Sequence, residues 1–221
     1  MIIEKILSGI FFLLIIITNV ASERFGYKTF NDLESEAKLQ WINENQNKFK
    51  TGVVLILLEH TCIIVLATML FIAFSKYNTA LAIVWTIFRI AEGLIQIYYK
   101  KNYWGLLNIA RQYSGASGAE RDTLIDLGRI ILKTKSSSFS FAQLLFSVGT
   151  LAYSTLFVIY GVVPALIGWF GIAASSIYGL GNVVFHIKPN FKTMWNIGGL
   201  LILLFEIVLG GWLIINTLVT S

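Results

Sequence analysis

Charge, cysteine and proline are all scarce in this 221-residue chain, and each shortage narrows what the protein is. Charged residues make up 13% of it, about half the 25% or so typical of a soluble domain, which is too few to coat a water-facing surface. Two prolines are few for a protein built from strands and turns. No segment alternates polar and apolar residues over about ten positions, as the strands of a membrane barrel do. The single cysteine, Cys62, excludes an internal disulfide and leaves the redox compartment open. Missing too are a phosphate-binding glycine loop, HExxH, paired CxxC, GxSxG and the long charged run of a voltage sensor. Only two histidines are present. A zinc hydrolase site usually takes three protein ligands, so one here would need His60, His186 and a glutamate. Glu59 and His60 are adjacent, and on a helix their side chains diverge by about 100°, so they do not readily share one metal. The residues therefore call for no metal and no cofactor. The net charge of +5 is not read as a nucleic-acid footprint, because loop lysines in an apolar chain report topology and anionic lipid.

What the chain has in quantity is apolar sequence, at 56% hydrophobic residues. Crossing about 30 Å of hydrocarbon takes roughly 20 apolar residues. Six stretches meet or approach that length: Ile6–Ala21, Gly52–Phe74, Tyr77–Tyr99, Ser138–Tyr160, Val163–His186 and Met194–Ile215. The expected fold is an all-α membrane protein, one bundle of six transmembrane helices filling residues 1–221. The first stretch is the shortest. Lys5, a short apolar run and Val20-Ala21-Ser22 also resemble a cleavable signal peptide, but five further spans favour a retained first helix.

Two connections are long enough to carry amphipathic interfacial segments. In Ser22–Lys50, Asn31, Asp32 and Glu34 suit a helix start, and Leu33, Ala37 and Trp41 recur at helical spacing. In Tyr103–Lys135, Ser117-Gly118-Ala119-Glu120 has capping-box spacing, with Leu124, Leu127 and Ile131 on one face and Asp122, Asp126 and Arg129 on the other. The remaining turns, Ser75-Lys76, Gly161-Val162 and the residues around Pro189-Asn190, are tight and make neighbouring helices antiparallel. Tyr98, Tyr99, Tyr103 and Trp104, beside Lys100 and Lys101, suit the headgroup layer, as does Trp195.

Six spans put both long connections and the turn between the fifth and sixth spans on one side. That side carries Arg24, Lys28, Lys38, Lys48, Lys50, Lys100, Lys101, Arg111, Arg121, Arg129, Lys133, Lys135, Lys188 and Lys192; the other carries Lys5 and Lys76. The positive-inside rule then places the long connections in the cytoplasm and both termini outside. The signal-like N-terminus argues the reverse.

Ionisable groups inside a bilayer cost roughly 2.5–3.5 kcal/mol each on insertion scales and turn inward. Here they are Glu59 and His60 in the second span, Arg89 and Glu92 in the third and Glu206 in the sixth, with His186 ending the fifth. Trp85, Arg89, Glu92 and Gln96 share one helical face. Ser140, Gln143, Ser147, Thr150 and Ser154 do so in the fourth span. Gly168, Gly171, Ser175, Gly179, Asn182 and His186 do so in the fifth, and Asn196, Gly199, Glu206 and Gly210 in the sixth. Stripes of small and polar residues let helices approach and bond to one another. At 1.5 Å rise per residue, Glu59 and Glu92 lie roughly 10–12 Å from the long-connection side. Gln96, Gln143, Asn182, His186 and Asn196 lie nearer to it, and Arg89 and Glu206 near the middle. The pattern predicts a polar cavity closed at mid-membrane, holding three carboxylates against one arginine.

Phe88-Arg89-Ile90-Ala91-Glu92 resembles the Arg-x-x-Glu helix of the membrane-protein family called "domain of unknown function 4386". Tyr153–Tyr160, Pro164 and Gly168-Trp169-Phe170-Gly171 are similar to its proline followed by a Trp-Gly helix. Phe205-Glu206-Ile207 with Gly211-Trp212-Leu213 is similar to its closing helix. The resemblance spans nearly the whole chain and departs at Gly161–Pro164, where the family often has basic residues. It implies a six-helix protein of a prokaryotic cell membrane, a cytoplasmic N-terminus (opposite to the charge count, and weakened by that departure), no established activity, and Arg89, Glu92 and Glu206 as positions of interest.

Three functional readings remain open on the sequence. The first is a membrane protein that binds or transports a small molecule or ion through Glu59, His60, Arg89, Glu92, Gln96, Asn182, His186, Asn196 and Glu206. The second is an intramembrane enzyme acting on a lipid-type substrate. The third is an accessory subunit that binds another membrane protein. In all three the chain contacts membrane lipid.

Overall fold

The computed structural model of the chain describes residues 2–26, 35–188 and 192–220, with backbone alone at 132–137 and 220. Asn31, Asp32, Leu33, Glu34, Lys28 and the Pro189-Asn190 turn lie outside the described residues. Eight helices occupy nearly all of what is described: α1 (Ile2–Arg24), α2 (Ser35–Glu44), α3 (Gln46–Phe74), α4 (Thr79–Lys100), α5 (Tyr103–Tyr113), α6 (Ala119–Ile159), α7 (Ala165–Ile187) and α8 (Thr193–Thr220). Six stretches are long and apolar enough to cross a membrane: Ile2–Arg24, Gln46–Phe74, Thr79–Tyr113, Ser138–Ile159, Ala165–Ile187 and Thr193–Val219. They match the six expected spans, and the protein is a multi-pass membrane protein. Their outward aliphatic side chains, such as Ile87, Leu94, Leu166 and Val219, contact lipid.

The elements run longer than the apolar stretches alone. α3 begins at Gln46, before the apolar run at Gly52. α6 joins the expected amphipathic segment and the fourth span into one helix of 41 residues. The polar run Lys133–Ser138 reads as a break, but no glycine or proline interrupts Arg129–Val148, and polarity alone does not stop a helix. α6 does stop at a glycine. Gly161 takes φ +59, and the Val162 amide bonds back to the Phe157 carbonyl at 3.1 Å, the two marks of a Schellman end. Pro164 then precedes the first turn of α7.

Two details of the connections differ from expectation. α2 buries Leu39 and Ile42, packs half-buried Trp41 against the same core and leaves Ala37 exposed, so its inward face centres on Leu39 and Ile42 with Trp41 at the edge. At the head of α6, Gly118 takes φ +56 where a capping box from Ser117 would need a helical residue. Leu124 is buried there, but Leu127 is 46% exposed, and Gly128 faces Leu39 in its place. Between α4 and α6 lies the helix α5, which buries Tyr103, Leu106, Leu107, Ala110 and Tyr113.

The chain divides into two compact units. The first comprises Met1–Ile16, Thr61–Leu94 and Ser140–Ser221, and the second Ile17–His60 and Ile95–Phe139. The core of the first is rich in rings, including Phe12, Trp85, Phe146, Tyr153, Phe157 and Phe205. Within it α7 packs along α8, and Gly181 and Gly198 make the approach possible. A Cβ on Gly181 would stand 2.7 Å from the Trp195 backbone nitrogen, and one on Gly198 2.6 Å from the Tyr178 Cα. The core of the second holds Leu39, Ile42, Phe49, Val53, Ile56, Tyr103 and Leu106, with α2 packed on α5.

Candidate functional site

Helix α4 supplies the charged part of the first unit's interior. Trp85, Arg89 and Glu92 recur on one face and are all buried, Arg89 and Glu92 at 3% exposure each. Arg89 Nη1 donates to Glu92 Oε2 at 2.6 Å, one turn along the same helix. The guanidinium lies over the Phe146 ring, 4.4 Å from its centroid, where the ring's negative face favours a cation. α6 makes room for the Arg89 stem with Gly149, whose added Cβ would lie 2.7 Å from Arg89 Cγ.

Around this pair stand the polar faces of α6, α7 and α8. Glu206 on α8 is buried. The Tyr153 hydroxyl lies within the electrostatic reach of Glu206, Arg89 and Glu92, which places that phenol among all three charges. Tyr178 on α7 lies within reach of Glu92 and Glu206 and donates its hydroxyl to Gln143 Oε1 at 2.5 Å. Asn182 is fully engaged with α6: its Nδ2 donates to the Ser140 carbonyl at 2.7 Å, and Ser140 Oγ donates to its Oδ1 at 3.0 Å. Trp85 Nε1 and Ser154 Oγ are buried with no hydrogen-bond partner among the described residues. The Thr150 and Tyr153 hydroxyls lie near one another outside hydrogen-bond geometry. A buried polar group left unmatched costs about 1–3 kcal/mol, and native interiors satisfy nearly all of them, by protein or by water.

The nine positions singled out from sequence divide between the two units. Arg89, Glu92, Asn182 and Glu206 are buried in the first unit; His186 and Asn196 belong to that unit but are exposed. Each of the latter two sits near a helix end, where a stripe runs out of neighbours to cover it. Glu59, His60 and Gln96 are buried in the second unit. There Asn19 Nδ2 donates to both Glu59 oxygens at 3.2 Å, and His60 Nδ1 lies 3.9 Å from Glu59 Oε1. Lys100 Nζ lies 2.6 Å from His60 Nε2.

Sequence reasoning missed four of these residues. Lys100 was counted as a headgroup-layer lysine beside Lys101, yet it is 3% exposed. Its step of four from Gln96 was the available signal. Asn19 was absorbed into the first apolar run. Tyr153 and Tyr178 carried no signal beyond being aromatic, and both hydroxyls face inward.

Among curated proteins and among solved structures nothing matches. The family model Domain of unknown function (DUF4386) matches residues 7–216, nearly the whole chain, as the Arg-x-x-Glu, proline and Trp-Leu motifs had implied. The chain belongs to that family.

Proposed function

We propose that the first unit holds a polar intramembrane site for a small cation, inorganic or a protonated amine, and that the protein binds or transports it. The observation that carries this reading is the composition of the buried interior: two carboxylates, Glu92 and Glu206, are buried in the unit that buries Arg89, whose guanidinium pairs with Glu92. With both ionised, the cluster has a net negative charge inside a low-dielectric interior, which a bound cation neutralises. The surroundings suit such a guest. Tyr153 and Phe205 stack with centroids 6.1 Å apart, and ring faces attract cations. The unmatched Ser154 and Thr150 oxygens supply further lone pairs.

The reading extends to placement. The chain lies in a prokaryotic cell membrane, with both termini outside and the long connections in the cytoplasm. The family supports the prokaryotic membrane, and the lysine and arginine count supports the orientation, against the cytoplasmic N-terminus that the family resemblance implies.

The test is thermal unfolding of the purified protein in lipid nanodiscs, titrated with sodium, potassium and ethylammonium chlorides at constant ionic strength. A ligand of the folded state stabilises by RT ln(1 + [L]/Kd). A saturable rise in melting temperature is expected with at least one of these cations, and its loss in Glu206→Gln. If none gives a saturable, Glu206-dependent rise, the cation site is wrong.

A further inference from the structure

The second unit contains a buried ionisable chain that the cation site does not use. We infer that Glu59, His60 and Lys100 form a proton-loading site, filled and emptied through the exposed carboxylate of Glu23. This proposal does not depend on the cation reading.

The geometry is that of a relay. Lys100, His60 and Glu59 are exposed by 3%, 4% and 7% respectively, so all three titratable groups are withdrawn from solvent. They follow one another through the imidazole: Lys100 Nζ lies at 2.6 Å from Nε2 and Glu59 Oε1 at 3.9 Å from Nδ1. With Lys100 as ammonium, Nε2 must accept, so the ring proton sits on Nδ1, the atom facing Glu59. Asn19 grips both oxygens of Glu59 and fixes the carboxylate at the far end. Glu23, one turn beyond Asn19 on α1, is exposed, and its charge reaches Glu59, as does that of Lys100. Gln96, one turn before Lys100 on α4, is buried with an unmatched Nε2.

The emptying step balances as follows. An N–H bond of the Lys100 ammonium breaks as one forms at His60 Nε2, and the Nδ1–H bond breaks as an O–H bond forms on Glu59. The 3.9 Å separation exceeds a hydrogen bond, so this transfer requires the Glu59 carboxylate to move toward Nδ1 against the hold of Asn19. Glu59 then releases its proton past Glu23 to water. The cluster ends one proton poorer, with a neutral amine on Lys100, the ring proton on Nε2 and Glu59 a carboxylate again. Loading is the reverse. Among the described residues, Lys100 from α4 and Glu59 from its own helix lie against the imidazole, and the charge of Glu23 on α1 reaches Glu59. Desolvation penalises the charged forms of the buried lysine and carboxylate, and their mutual attraction across the ring favours them.

The His60 tautomer reports the state directly. Nitrogen-15 NMR of the full chain in nanodiscs, labelled at histidine, resolves Nδ1–H from Nε2–H. His186→Asn, at an exposed position, leaves His60 as the single signal. The expected result is a swap of the ring proton from Nδ1 to Nε2 on raising the pH between about 5 and 10, and no swap in Lys100→Met. One unchanging tautomer across that range in the wild-type ring would overturn the proposal and leave a static ion pair. A swap that persists in Lys100→Met would overturn it as well. If Lys100→Met does not fold, Glu23→Gln at the surface replaces it: the swap should then equilibrate at least about tenfold more slowly after a pH jump, as removing a proton carrier does. An unchanged rate would remove Glu23 from the path and with it the relay.

Discussion

At the scale of single residues, the first unit rests on an ion pair that only both partners together make tolerable. Removing Arg89 strands the Glu92 carboxylate in a low-dielectric interior, and breaking a buried pair from one side costs about 3–5 kcal/mol. Arg89→Met is therefore expected to lower stability by that order. Arg89→Met with Glu92→Gln should recover much of the loss, in a double-mutant cycle read by thermal unfolding in nanodiscs. Two additive losses would mean that the pair is not coupled. Gly149→Val addresses the same contact from α6: its Cβ would press on the Arg89 stem, and overpacking of this kind costs about 1–3 kcal/mol. The face carrying Trp85, Arg89, Glu92 and Gln96 was legible in the sequence because all four are bulky or polar at regular steps, and all four are buried. Lys100 continues those steps and was still misread. A lysine at the end of a span looks the same in sequence whether it reaches the headgroups or folds onto a histidine 40 residues away.

At the scale of elements, α2 shows how a surface helix is held by a few polar contacts over a small apolar face. Leu39 and Ile42 are buried. The Tyr113 hydroxyl donates to Glu36 Oε1 at 2.6 Å, and Arg121 Nη2 donates to the same oxygen at 2.5 Å. Those two donors, Tyr113 first, hold the Glu36 carboxyl below its ordinary range. A carboxylate depressed on folding contributes stability above its unfolded pKa, about 4.3, and loses it as pH falls through the folded value. Hydrogen exchange of the Ser35–Glu44 amides, corrected for intrinsic rates, is therefore expected to show steady protection from about pH 5 upward and weakening protection below about pH 4. Glu36→Gln should flatten that dependence; an acid loss of unchanged size in the variant would place its cause elsewhere. The existence of α2 was legible in sequence but its inward face was not. Alanine and tryptophan mark a buried face weakly, and the residues chosen to open that face lie outside the described ones. α6 failed differently. Its amphipathic and membrane portions have distinct compositions, and a change of composition was taken for a change of element, although nothing in Arg129–Val148 breaks a helix.

At the scale of the whole molecule, the six spans were the most legible feature, because apolar length is a one-dimensional property and needs no knowledge of neighbours. Which residues share an interior is a three-dimensional property, and apolar length carries no sign that the nine positions divide between two units. Orientation across the membrane is again one-dimensional. Lys5 and Lys76 are the basic residues of the side opposite the long connections. Each lies by an aromatic ring, Lys5 at 5.9 Å from the Phe74 centroid and Lys76 at 5.1 Å from that of Tyr77, as snorkelling lysines do at an interface. Such residues exert little topogenic pull against the basic residues of the long connections. Cysteine labelling reads the outcome cleanly, since the native Cys62 is 3% exposed and can be replaced by serine. In that background, an impermeant maleimide added to intact cells is expected to label Tyr160→Cys, in the turn between α6 and α7. Ser114→Cys, between α5 and α6, should react only after the membrane is permeabilised. The opposite pattern would mean that the N-terminal segment, rather than the lysine and arginine bias, sets the direction of insertion. The long connections would then face outward, and the Glu23 carboxylate would exchange protons with the external medium rather than with the cytoplasm.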